Sequence, residues 1–105
     1  MGVCGKTKKD IVYIHLPTIK KITNKYTGAK YVEYWTKWIY LDIPSEVYKS
    51  VQYERINCTE RLLSVFDTTD YNLKGEITKS YNVNLINSRI IPDSIAEAEY
   101  DFVCK

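Results

Sequence analysis

Along most of the chain apolar positions recur with a period of two, as in strands, and only the last sixteen residues change to helical spacing. Residues 11–14 form a short β-rich run ending at His15-Leu16-Pro17, and residues 18–23 form a second, with Lys20 and Lys21 on its wet side. Turn chemistry follows at 24–28, where Gly28 is free to take positive φ. It leads into the longest strand, 30–41, on which Val32, Tyr34, Thr36, Trp38 and Tyr40 share one face. Tyr31, Glu33, Trp35, Lys37 and Ile39 share the other. Neither face is purely polar, so Trp35 and Trp38 cannot both enter the main core. Asp42-Ile43-Pro44-Ser45-Glu46 breaks the strand, a further strand covers 48–58, and segments 61–67 and 76–84 read as a hairpin around a polar turn at 68–75.

The C-terminal segment is the one helix. Pro92 stops what precedes it, Ser94 caps it, and Glu97 is placed to return a hydrogen bond to the Ser94 N–H as a capping box. Ile95, Ala96, Ala98, Phe102 and Val103 fall in one broad stripe, which needs a flat apolar partner. The fold class expected is therefore α+β: a curved antiparallel sheet of about five to six strands, with the helix packed on one face. Residues 11–105 make a single domain, and residues 1–10 are expected to be a disordered lead-in, either a lipoprotein start or a truncated chain with a new start Met.

Composition adds a bias toward amphipathic aromatics, ten Tyr and two Trp against two Phe, which suits a sheet with one wet face. The net charge of +2 is too small to argue for nucleic acid or an anionic membrane, and the three Arg are not interleaved with aromatics as a nucleic-acid sheet requires. The charge is uneven, however: residues 1–50 hold nine Lys against four acids, residues 51–105 six Lys or Arg against nine. No apolar run is long enough to span a membrane, so membrane association is expected only through a lipid anchor, for which Cys4-Gly5 supplies the acylatable cysteine.

Catalytic chemistry is not found. His15 is the sole histidine, and one His with three Cys and no close pair does not build a structural zinc site. Gly2 to Thr7 has two residues between its glycines where a phosphate cradle needs four. Asp70, Asn72 and Gly75 match a calcium-loop pattern at three positions, but Lys74 and Tyr81 occupy ligand positions, so this is a polar turn. Asp67 and Asp70 form a carboxylate pair around that exposed turn rather than in a pocket. No catalytic residue, cofactor or metal is expected.

The aromatic strand 32–40, the Ile56-Asn57-Cys58-Thr59-Glu60-Arg61 segment, Tyr71-Asn72 before Gly75, Ile91-Pro92-Asp93-Ser94 with Glu97, and the closing Val103-Cys104 resemble the surface-adhesin protein E-like family of small exported bacterial domains, often lipoproteins. The likeness spans roughly residues 11–104. Two positions depart from it: Asn87-Ser88-Arg89 stands where the family has an aromatic residue, and Glu99 where it is commonly apolar. The resemblance implies a disulfide, here Cys58 to Cys104, tying the helix to the sheet. In an oxidising compartment such a bond, closing a loop of 46 residues, contributes about 4 kcal/mol on the chain-entropy model.

The function expected is a non-enzymatic, extracytoplasmic, adhesin-like module that binds a macromolecular partner through a sheet face or edge, with a structural or inhibitory envelope lipoprotein as the alternative. Its location is the outer membrane, the periplasm or the cell surface. An extracellular-matrix or cell-envelope protein is the partner expected, with a homodimer as the self-association counterpart and no nucleic acid. One helix covers one sheet face, so the other displays aromatics; Trp35, Tyr31 and Lys37 are the candidate contact residues.

Overall fold

The computed structural model describes residues 2–6, 10–40 and 48–105, the side chains of residues 2–6, 10, 81, 83 and 84 aside. Its strands are β1 (Gly2–Lys6), β2 (Asp10–Ile14), β3 (Lys20–Thr23), β4 (Lys30–Tyr40), β5 (Lys49–Asn57), β6 (Leu62–Tyr71) and β7 (Ile77–Arg89), followed by the helix α1 (Ile95–Cys104). All pairings are antiparallel, in one open sheet of spatial order β1-β2-β4-β5-β6-β7, with β3 also on β4.

Strands β2 and β3 lie end to end along one edge of β4, opposite residues 36–40 and 30–33. They are parted by a 3-10 turn at Leu16–Thr18, because Pro17 has no N–H to give to a ladder. Thr18 closes the gap: its Oγ1 donates to the His15 carbonyl at 2.7 Å and accepts from the Trp35 N–H at 3.1 Å.

Among the described residues the sheet has seven strands rather than five or six, because residues 2–6, part of the 1–10 lead-in expected to be disordered, pair with β2 from Gly2↔Ile14 to Lys6↔Ile11. The gain is clear: β2 would otherwise present a row of unpaired backbone groups. The break expected at 42–46 lies outside the described residues. The hairpin turn is shorter than expected, because Thr68 to Tyr71 continue β6 and the reversal is made at 72–76. There the Asn72 side chain accepts from the N–H groups of Lys74 and Glu76, and Gly75 takes φ 82°. Asp67 and Asp70 are thus strand residues on opposite faces; Asp70 is buried and accepts from the Ser50 hydroxyl.

One face of the sheet carries the core. Ile14, Val32, Tyr34 and Ile56 meet Ile90 and Val103, with Ala96, Tyr100 and Cys104 packed alongside. The helix turns Ala96, Glu99, Tyr100, Val103 and Cys104 to the sheet, spaced i, i+3, i+4, i+7, i+8, with Glu99 and Val103 buried; of the expected stripe Ala96 and Val103 pack on the core, Ile95 and Ala98 are half-buried beside it, and Phe102 is exposed. What sets this rotation is the Cys58–Cys104 disulfide, with Cα atoms 5.7 Å apart, which pins the last turn to the end of β5. The Ser94 hydroxyl accepts from the Glu97 N–H at 3.2 Å, while Glu97 Oε1 accepts from the Asp93 N–H, one residue earlier than a capping box requires.

The Ile-Asn-Cys-x-x-Arg segment now has a physical account. Asn57 Oδ1 accepts from the N–H groups of Thr59 and Glu60 and so shapes the β5–β6 turn, in which Arg61 has φ 59°. Cys58 carries the cross-link. Arg61 stacks over the Tyr100 ring at 4.6 Å and pairs with Glu97 at 3.5 Å, holding the helix from its exposed side.

Candidate functional site

The face of the sheet away from α1 is built in rows that run across the strands. Direct pairing puts Lys20, Glu33 and Arg55 in one row, Trp35 and Tyr53 in the next, and Tyr13, Lys37 and Val51 in a third. Tyr31 lies beyond the first row opposite Asn57, and Lys49 and Tyr71 lie beyond the third. Between Tyr53 and Glu54 the β5–β6 register slips by one residue, and Phe66, the bulged residue, joins the aromatic row. Ring centroids of Trp35 and Tyr53 are 5.1 Å apart and those of Tyr53 and Phe66 6.3 Å, tilted by 44° and 41°.

Glu33 is the anchor of this face. It is 8% exposed, and it accepts from the Tyr53 hydroxyl at 2.6 Å and from Arg55 Nε at 2.8 Å, with Arg55 Nη2 also on Oε2. Burial acts to raise its pKa, but the hydrogen bonds from Tyr53 and Arg55, helped by the charges of Arg55 and Lys20, outweigh it and hold the carboxyl below its ordinary range. The Tyr53 hydroxyl is correspondingly pushed up to about 12, by burial and by its bond to Glu33. Arg55 is sandwiched between Tyr31 at 5.3 Å and Phe66 at 5.1 Å, Lys37 lies 5.0 Å from the Tyr13 ring, and Lys49 4.5 Å from the Tyr71 ring. A recess of about 250 Å³ opens beside them, lined by Ile22, Asn24, Tyr31 and Arg55.

Trp35, Tyr31 and Lys37 thus share the face opposite the helix, all half-buried. Trp38 points the other way, its indole N–H donating to Thr36 Oγ1 at 3.0 Å and Glu54 Oε2 at 3.3 Å. Cys4 falls at a bulge in β1, with its side chain outside the described set. His15 follows β2 beside Pro17, and its backbone N–H donates to the Trp35 carbonyl at 2.9 Å. Tyr53, Arg55 and Phe66 escaped the sequence reading; Tyr53 and Arg55 alternate with buried Glu54 and Ile56, a usable cue, whereas Phe66 reaches this face only through the bulge.

A second polar group lies under the helix. Glu54 and Glu99 are fully buried: Tyr34 donates to Glu99 Oε1 at 2.9 Å and Thr36 to Glu54 Oε2 at 2.6 Å, leaving Glu54 Oε1 and Glu99 Oε2 without a donor from any other residue. Burial raises both carboxyls, and the charge of Glu54 lifts Glu99 further, so protons are held at this pair to a higher pH than at a solvated carboxyl. Its chemistry is structural, since the pair is closed to solvent.

A family model described as surface-adhesin protein E matches residues 2–105. Neither a curated protein nor a solved structure gives a significant match.

Proposed function

The chain belongs to the surface-adhesin protein E family, and from that premise we propose that it is a non-enzymatic, extracytoplasmic binding module whose contact surface is the open sheet face around Trp35, Tyr31 and Lys37. The observation that carries this reading is the asymmetry of the sheet. One face is closed by α1, while the other bears a continuous Trp35–Tyr53–Phe66 row flanked by cations. Half-buried aromatics held by their neighbours bury much area at small entropic cost on binding. The edge offered by β7 is a poorer contact, because three register irregularities against β6 interrupt the regular ladder that strand addition needs.

The test is capture of purified extracellular-matrix proteins and of envelope extract by the wild type, Trp35→Ala and Tyr53→Ala. Both variants are expected to stay folded, with thermal midpoints lowered by several degrees, and to weaken capture at least several-fold. Undiminished capture by both would move the contact surface elsewhere.

A further inference from the structure

Resting on the reading of the open face as the contact surface, we propose that this face recognises an acidic, extended polypeptide segment in which an apolar side chain is flanked, two residues away on either side, by carboxylates. Three observations lead there. Across β3 to β6 the open face carries four cations, Lys20, Lys37, Lys49 and Arg55, against two carboxylates, Glu33 and Asp67. An anionic partner is the complement of that excess.

The second observation is how the cations are held. Lys37 and Lys49 lie over the rings of Tyr13 and Tyr71, and Arg55 is clamped between Tyr31 and Phe66 and gripped by Glu33. Cations fixed before the partner arrives lose less rotamer freedom on binding, so Lys37 and Lys49 are better receptors for a carboxylate than a free lysine, whereas Arg55 already carries Glu33 and leaves Lys20 as the exposed charge of its row. The same stacking argues against a polysaccharide. Sugars dock their C–H faces on open rings, and here cations occupy those ring faces, while Trp35 and Tyr53 tilt by 44° against each other and offer no flat platform.

The third observation is the order of the rows. The aromatic row through Trp35 lies between the row of Lys20, Glu33 and Arg55, in which Glu33 is taken up by Arg55 and Lys20 is left to meet a partner, and the row of Lys37. Rows two residues apart on a strand are spaced by about 6.7 Å. An extended segment running along β4 has the same repeat, so a Glu-x-Leu-x-Glu pattern seats its leucine on Trp35 and Tyr53 and one carboxylate on each cationic row. Side chains at the x positions point away.

The experiment uses the full chain with its disulfide formed and a synthetic peptide of three Glu-x-Leu-x-Glu units separated by Gly-Ser, titrated while the Trp35 indole N–H resonance is followed. Saturable shifts of that resonance and of the residue 37 and 49 amides are expected, with affinity falling as salt rises. The Lys37→Gln/Lys49→Gln variant should bind roughly tenfold more weakly, at an unchanged thermal midpoint. A peptide with Gln for every Glu should bind as weakly, which controls the chemistry without altering the protein. Equal binding of the Gln and Glu peptides, or saturable shifts with heparin and none with the Glu peptide, overturns the proposal. If the Glu peptide fails while matrix-protein capture remains sensitive to Trp35→Ala, the binding-face reading survives and only the acidic chemistry falls; if both fail, both readings are wrong.

Discussion

Glu99 puts a carboxyl group where the helix meets the sheet, a position at which an apolar side chain would pack without needing a partner. It is tolerated because Tyr34 donates to Glu99, Thr36 and Trp38 donate to the neighbouring Glu54, and burial keeps Glu99 protonated to a higher pH than a solvated carboxyl. The sign of the pH dependence follows. An unfolded carboxyl releases its proton near 4.5, whereas the folded Glu99 keeps it, so the folded state binds more protons above that value. The contribution of the pair is full below the unfolded range and declines as pH rises toward the raised folded value. Glu33, lowered, acts in the opposite sense, and its contribution is lost as pH falls. In Glu99→Gln the amide donates to Glu54 and accepts from Tyr34 with no proton uptake. Urea midpoints should show stability kept or raised at neutral pH and the decline above pH 4.5 flattened; an unaltered slope would rule out a raised Glu99 carboxyl. Glu99→Ala, which opens a cavity and removes the acceptor that the Tyr34 hydroxyl uses at Glu99 Oε1, should cost about 3 kcal/mol. This pair was hidden in the sequence, since a glutamate in an amphipathic helix reads as solvated face. The one cue was that the resembled family commonly has an apolar residue there.

Elements were far more legible than the contacts between them. Period-two alternation assigned residues 31–40 of β4 to their observed faces, and the Ser94 cap set the start of α1 to the residue. The helix rotation was legible only in part: of the broad stripe of Ile95, Ala96, Ala98, Phe102 and Val103, only Ala96 and Val103 pack on the core, because the bonded cysteine at 104 draws the helix away from the Ile95 and Phe102 side. The bulge at Phe66 was equally hidden, as a register slip depends on which residues of the partner strand are in place. Two predictions belong at this scale. Ser94→Ala should lower stability by about 1 kcal/mol, read as a shift of the denaturant midpoint, because the Glu97 N–H loses its acceptor. Replacing Cys58 and Cys104 together by Ser should cost about 4 kcal/mol on the loop-entropy model, and intact-mass thiol counting on the oxidised wild type should find one free thiol, since two of its three cysteines are bonded.

As a whole the molecule is a sheet with one dry face and one displayed face, and the two tryptophans of β4 report on them separately. Trp38, on the helix side, donates into the buried Thr36–Glu54 network, so Trp38→Ala leaves a carboxylate short of a donor and a gap beside it. Trp35, on the open side, contacts Tyr53 but gives no side-chain hydrogen bond to the core; its place in the fold is held by backbone bonds to His15 and Thr18, which any residue can make. Trp38→Ala should therefore lower stability by about 3 kcal/mol, and Trp35→Ala by about 1 kcal/mol, the worth of an aromatic pair. Partner binding should invert that order: strongly reduced by Trp35→Ala, and close to wild type in whatever fraction of Trp38→Ala remains folded. Thermal melts alongside capture of matrix proteins measure both quantities on the same samples. A Trp35→Ala variant that unfolds, or a folded Trp38→Ala fraction that no longer binds, would mean that the two faces are not energetically separate and that the open face serves the core as well.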